Sequence, residues 1–234
     1  MSIFDRQVEE LEKFFKTQFQ TGRLRKLTHN AELGWSKKEE LILSQDCALE
    51  IGNPSIGSLL LILWTEKPFG EDSIWLLGSD ISELKKGAPF AQIILVSGEF
   101  PDHYDCYCQL RDAVYQTYLA GLMIRLIPSR QKIWLRLNQW ALDKGFSLAH
   151  LGSALIRSLK SLEFVHWVKI VFITDENFRP LLDIGEEIKK ITNALIKMNE
   201  ELSLDCNTCE YRDICESISE LKRIREKLLN QKRN

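Results

Sequence analysis

Five short β-rich runs alternate along this chain with segments of helical period. They cover residues 59–65, 74–77, 93–97, 133–137 and 168–174. Gly, Pro, Asn or Asp punctuates several of them, as turns require. Residues 102–120 carry Leu110, Val114, Tyr118 and Leu119 at helical spacing. Residues 148–160 carry Leu148, Leu151, Leu155 and Leu159, with Ser147 as a cap. Leu181, Ile184, Ile188, Ile191, Leu195 and Met198 alternate steps of three and four, which predicts a long helix to about Glu200. Pro180 blurs its start. Both ends read as amphipathic helices. Residues 2–20 present Phe4, Val8, Leu11, Phe15 and Phe19, with Ser2 as cap. A last helix from about Arg212 presents Ile214, Ile218, Leu221, Ile224 and Leu228. The expected class is α/β or α+β: a mixed β-sheet with packed helices and amphipathic helices at the N- and C-termini. Three segments follow: 1–34, a helix and a connector (21–34) with Gly22, Asn30 and Gly34; 35–200, an α/β domain; and 201–234, a cysteine motif and helix.

The formal net charge is −2. That argues against nucleic-acid binding across the whole surface, and the run Arg23, Arg25, Lys26 reads as a solvated connector. The N-terminus is charged at once, unlike a signal peptide, and the longest apolar run, 59–64, is too short to span a bilayer. The expectation is a cytoplasmic protein without membrane contact. Its six cysteines would then be thiols or metal ligands.

Three of those cysteines, Cys206, Cys209 and Cys215, form a Cys-x2-Cys-x5-Cys run. A two-residue gap lets two thiolates from one turn reach one centre. Thiolates select zinc, copper(I) or iron–sulfur clusters. The histidine-free surroundings favour iron–sulfur, a 4Fe-4S cluster, with structural zinc as the alternative and three incidental thiols as the bland reading. A closed site needs a fourth ligand, and no cysteine follows Cys215. Cys215 near a helix N-terminus would have its thiolate stabilised by the helix dipole. Cys106 and Cys108, with His103 before them, are the obvious source of a further ligand. On a helix, however, residues two apart point about 200° from each other.

Residues 132–138 alternate. Ile133, Leu135 and Leu137 face a core, and Lys132, Trp134 and Arg136 face the other way. An aromatic ring between two cations suits an adenine nucleotide carrying phosphates. The plain alternative is a solvated sheet face with Arg stacked on Trp. If residues 122–127 pair with this strand, Arg125 sits opposite Trp134; the helix at 102–120 could instead continue through that region. His150 and His166 read as structural. No Gly-rich phosphate loop, His-Glu-x2-His pair or nucleophile elbow is present.

Four stretches, in order, carry a family likeness. The first is Leu49-Glu-Ile-Gly-Asn-Pro-Ser. The second is Ile74-Trp-Leu-Leu-Gly-Ser-Asp-Ile-Ser-Glu-Leu-Lys-Lys-Gly. The third is Arg130-Gln-Lys-Ile-Trp-Leu-Arg-Leu followed by Lys144-Gly-Phe-Ser-Leu-Ala-His-Leu-Gly. The fourth is Val168-Lys-Ile-Val-Phe-Ile-Thr-Asp-Glu, leading to Cys206-x2-Cys209. Over roughly residues 35–215 the chain resembles the acetyl-CoA synthase family, the beta subunit of the CO dehydrogenase/acetyl-CoA synthase complex. The resemblance implies CoA at Trp134 with the neighbouring Arg130, Lys132 and Arg136. It implies that Cys206 and Cys209 begin the ligand set of a cubane, with Cys215 in third place at a closer spacing. It also implies an anaerobic setting and CO dehydrogenase or corrinoid protein components as partners. The family's fourth cubane cysteine, its later Cys-Gly-Cys nickel ligand and its large N-terminal docking domain have no counterpart in these 234 residues. The expected function is an iron–sulfur accessory or partner protein, not a complete synthase. Two other classes remain. One is an iron–sulfur nucleic-acid enzyme, disfavoured by the acidic balance and the lack of a carboxylate–lysine constellation on a strand. The other is an interaction domain with a purely structural metal.

Overall fold

The computed structural model describes residues 2–30, 33–55, 57–200, 206 and 208–233. Two sheets organise them. The larger has the order β1-β4-β8-β5-β3, built from β1 (Leu24–Leu27), β3 (Ser58–Thr65), β4 (Ser73–Leu77), β5 (Phe90–Gly98) and β8 (Val165–Ile173). β8 is central, parallel to β4 and antiparallel to β5. The smaller sheet has the order β2-β7-β6, from β2 (Cys47–Ile51), β6 (Leu122–Ile127) and β7 (Lys132–Asn138), antiparallel throughout.

Every residue of β3 and β5 is buried, which is why these runs are apolar almost without interruption rather than alternating. Helices supply the cover. Ile74 and Trp75 are neighbours on β4 and so point to opposite faces. α4 (Leu148–Lys160) packs on the Ile74 side. α1 (Asp5–Gln20) crosses the Trp75 side, where Phe19 meets the indole. α2 (His103–Tyr115) places Tyr107 and His103 against Trp64 of β3, and α5 (Leu182–Glu200) joins α1 through the Arg6–Glu187 ion pair at 2.8 Å. A short α3 (Gln139–Asp143) follows β7, capped by Asn138, whose side chain accepts from the Ala141 N–H.

The small sheet is tied to the edge of the large one. Ser58 Oγ donates to the Ile133 carbonyl at 2.5 Å and accepts from the Ile133 N–H at 2.8 Å. The Leu60 N–H donates to the Gln131 carbonyl at 2.8 Å. Gly52, at φ +73, permits the approach: a Cβ there would lie 2.7 Å from the Ile133 carbonyl oxygen.

The structure corrects several expected boundaries. Ser2 does not cap α1; its hydroxyl donates to the Trp64 carbonyl, 2.9 Å away, and the cap residue is Phe4. The connector contains β1, because Leu24–Leu27 finds β4 as an antiparallel partner. α2 ends at Tyr115 instead of running to residue 120, since the chain beyond it pairs with β7 as β6. The last helix is two, α6 (Arg212–Ser217) and α7 (Ser219–Arg233), broken where Ile218 takes an extended conformation. Pro180 lies in a 3-10 turn before α5, where its missing N–H disrupts no α-helical ladder. No helix among the described residues is long and apolar enough to cross a membrane.

Candidate metal and nucleotide sites

The cysteine run follows α5. Cys206, on a turn, and Cys209, in the irregular chain after it, are half-buried, and Cys215, inside α6, is 4% exposed. Lys197, near the end of α5, pins this turn: its Nζ lies 5.8 Å from the Tyr211 ring centre and 3.8 Å from Glu210 Oε1. The Arg212 N–H donates to the Cys209 carbonyl and the Cys215 N–H to the Tyr211 carbonyl, so the turn winds directly into α6. Burial pushes the Cys215 thiol up to about 11. Arg225 pulls the other way, and nearby Cys209 and Cys206 add to the rise. Cys215 is the fourth of the six residues of α6, so it does not sit at the helix N-terminus as expected, and desolvation sets the direction of its shift. The three sulfurs share one electrostatic environment with Arg225, whose side chain is 13% exposed and whose guanidinium bonds Glu216 Oε1 at 2.8 Å. All three are free thiols.

These donors fit a thiolate-seeking centre in chemistry. They are not converged in space: among the described residues, no group of three or more His, Cys, Asp or Glu side chains is placed to hold a metal. Residues 201–205 and 207 lie outside the described residues.

Cys106 and Cys108 occupy α2, as helical spacing predicts. Cys106 is buried and its thiol is pushed up by desolvation. Cys108 is half-buried beside Tyr104, whose hydroxyl donates to Glu200 Oε1 at 2.8 Å.

On β7, Ile133, Leu135 and Leu137 are buried, and Lys132, Trp134 and Arg136 lie on the opposite, half-buried face. β6 brings Arg125 directly opposite Trp134. Its guanidinium lies 5.7 Å from the ring centre and that of Arg136 lies 5.3 Å away. Arg136 is itself held: Nε bonds Glu50 Oε2 at 2.5 Å and Nη1 donates to the Ile42 carbonyl at 3.4 Å. Burial pushes the Glu50 carboxyl up, but bonds from Asn53 and Arg136 and the charges of Arg136 and Lys86 outweigh it, leaving it below the usual carboxylate value. Lys132 Nζ donates to the Ser58 carbonyl at 2.9 Å and so bridges the sheets. Arg130 is exposed in the 3-10 turn Pro128–Arg130. The indole nitrogen of Trp134 is buried without a hydrogen-bond partner.

Glu50 is the member of this group that the sequence reading missed. Its signal was the strand Cys47–Ile51, which places Glu50 across from Arg136. His150 is structural. It completes the cap of α4, its Nδ1 accepting from the Ser147 N–H at 3.1 Å, and it packs on Trp35 and Phe146. His166 is exposed on β8.

Residues 18–178 match the family of the CO dehydrogenase/acetyl-CoA synthase complex beta subunit. That span includes both sheets and ends before α5 and the cysteine run. Acetyl-CoA decarbonylase/synthase complex subunit beta 2 of Methanocaldococcus jannaschii is 26% identical over 187 residues, which cover 76% of this chain and 39% of that protein. Subunit beta 1 of the same organism is also 26% identical, with 24% of its length covered. The beta subunit from Methanopyrus kandleri is 31% identical over 144 residues, 58% of this chain and 30% of the relative. The chain therefore spans well under half the length of these curated relatives. With 161 of its 234 residues inside the match, the chain belongs to the CO dehydrogenase/acetyl-CoA synthase complex beta subunit family.

Proposed function

We propose that this chain is an accessory member of its family. In this reading it carries an iron–sulfur centre on Cys206, Cys209 and Cys215, offers the Trp134 face to CoA, and works with CO dehydrogenase or corrinoid protein components. The observation that supports it most directly is the shared environment of the three thiols, with the half-buried Arg225 beside them. A positive group of this kind offsets the negative charge that three deprotonated thiols would bring. A cluster with three protein ligands supplies electron transfer or one iron open to an outside ligand. Loading such a centre releases the thiol protons and requires closure of the turn.

At the second site, Arg125 and Arg136 stack where an adenine ring would lie. Nucleotide entry requires Arg125 to swing off the indole and turn toward phosphate, while Glu50 keeps Arg136 in place.

The test is anaerobic purification. The protein should be brown, with iron and sulfide in near-equal amounts, and Cys209→Ser should remove the colour. A colourless protein holding one zinc would overturn the cluster in favour of a structural metal. For the nucleotide face, calorimetry should show CoA binding that Trp134→Ala weakens; no heat up to millimolar CoA refutes it. Acetyl-CoA formation by the purified chain from a methyl-corrinoid, CO and CoA would overturn the accessory role.

A further inference from the structure

A slot on the outer half of the large sheet is used by neither site. Lys26, Trp75 and Val171 stand in register across β1, β4 and β8 and share one face. α1 crosses that face without filling it. Phe15 is buried against the sheet, whereas Phe19 is 58% exposed and meets Trp75 edge-on at 5.7 Å. Between helix and sheet remains a cavity of about 370 Å³, walled by Phe15, Phe19, Leu24, Trp75 and Val171. That size and apolar lining suit a small molecule.

Its rim is cationic. Glu9, Glu10 and Glu12 of α1 are committed to Lys67, Arg6 and Lys169, and Glu71 to Lys26. Lys13 and Lys16 line the slot and make no salt bridge among the described residues. The indole nitrogen of Trp75 is buried without an acceptor. The slot therefore combines an apolar body, two exposed cations outside any salt bridge among the described residues, and an unsatisfied donor.

We propose that it binds a small amphipathic carboxylate. The alkyl or aryl body lies between α1 and Trp75, and the carboxylate lies at Lys13 and Lys16. A neutral apolar ligand would leave both cations unused, and a polyanion would leave the apolar walls uncovered. Phe19 is the movable wall, and its displacement opens the Trp75 edge to an acceptor.

Calorimetry with octanoate, using octanol as the neutral control, tests this. The protein should bind octanoate one to one and more tightly than octanol. The double charge reversal Lys13→Glu/Lys16→Glu should weaken octanoate by about tenfold or more and leave octanol unchanged. Val171→Phe, which fills the floor, should abolish binding of both. Should that core variant fail to fold, the exposed charge reversals still decide. No heat with millimolar octanoate, equal affinity for octanol, or an unchanged octanoate affinity in the charge-reversed protein would each overturn the proposal.

Discussion

At Gly152 the α4 backbone runs so close to β4 that an added Cβ would lie 2.7–2.9 Å from three side-chain atoms of Ile74. Ala in a helix interior gains about 1 kcal/mol over Gly. Overpacking a fixed core costs about 1–3 kcal/mol. Gly152→Ala should therefore lower the melting temperature, by roughly 2–4 °C for each net 1 kcal/mol; a higher melting temperature would show that Ile74 gives way freely. The Glu50–Arg136 pair makes a second residue-scale prediction. The folded carboxyl titrates below its unfolded value, so its contribution to stability is present above about pH 4.3. It is lost as pH falls through the lower folded value. Glu50→Gln should lower the melting temperature at neutral pH, and the gap should close as pH drops below about 4. Trp134 and Arg136 were legible from period-2 alternation within one strand. Glu50 was not, because it reaches Arg136 through a pairing of strands 86 residues apart.

The elements read best where local signals agree. α4 covers Leu148–Lys160 as its leucine spacing predicts, and Ser147 and His150 close its first turn. They read worst where a distant partner decides. Leu24–Leu27 has two exposed cations and no period of its own, yet β4 draws it into the sheet. α2 also shows how one element depends on others. Trp64 Nε1–H donates to His103 Nδ1 at 2.9 Å, and His103 Nε2 lies 3.6 Å from Glu220 Oε1 on α7. Burial holds His103 below the ordinary imidazole value, although Glu220, Asp102 and Glu66 pull it back up. The unfolded chain accepts the proton first, so stability is lost as pH falls below about 6.5. A melting series from pH 7 to pH 5 should decline less steeply for His103→Gln than for the parent. An equal slope would place the titration elsewhere.

For the whole molecule, the α/β class and the terminal helices were legible, whereas the division into two sheets and the strand order were not. Periodicity marks which residues are buried, and not which strand lies beside which. The cysteines were legible as a motif, but their surroundings were not, since Arg225 reaches them from α7, on the far side of Ile218. The C-terminal segment shares the main core: Leu221 is fully buried there and Cys215 nearly so. Removing residues 201–234 should lower the melting temperature markedly or yield aggregates that bind a hydrophobic dye; an unchanged melting curve would show that the core stands without them. The position of β8 carries a consequence for biosynthesis. β1 with β4, and β5 with β3, are all translated before β8, yet only β8 joins the two pairs. A nascent chain must therefore carry two half-sheets, each with an open inner edge, until Ile173 clears the ribosome. Stalled translation or a premature stop before that point leaves those edges free to pair with other chains.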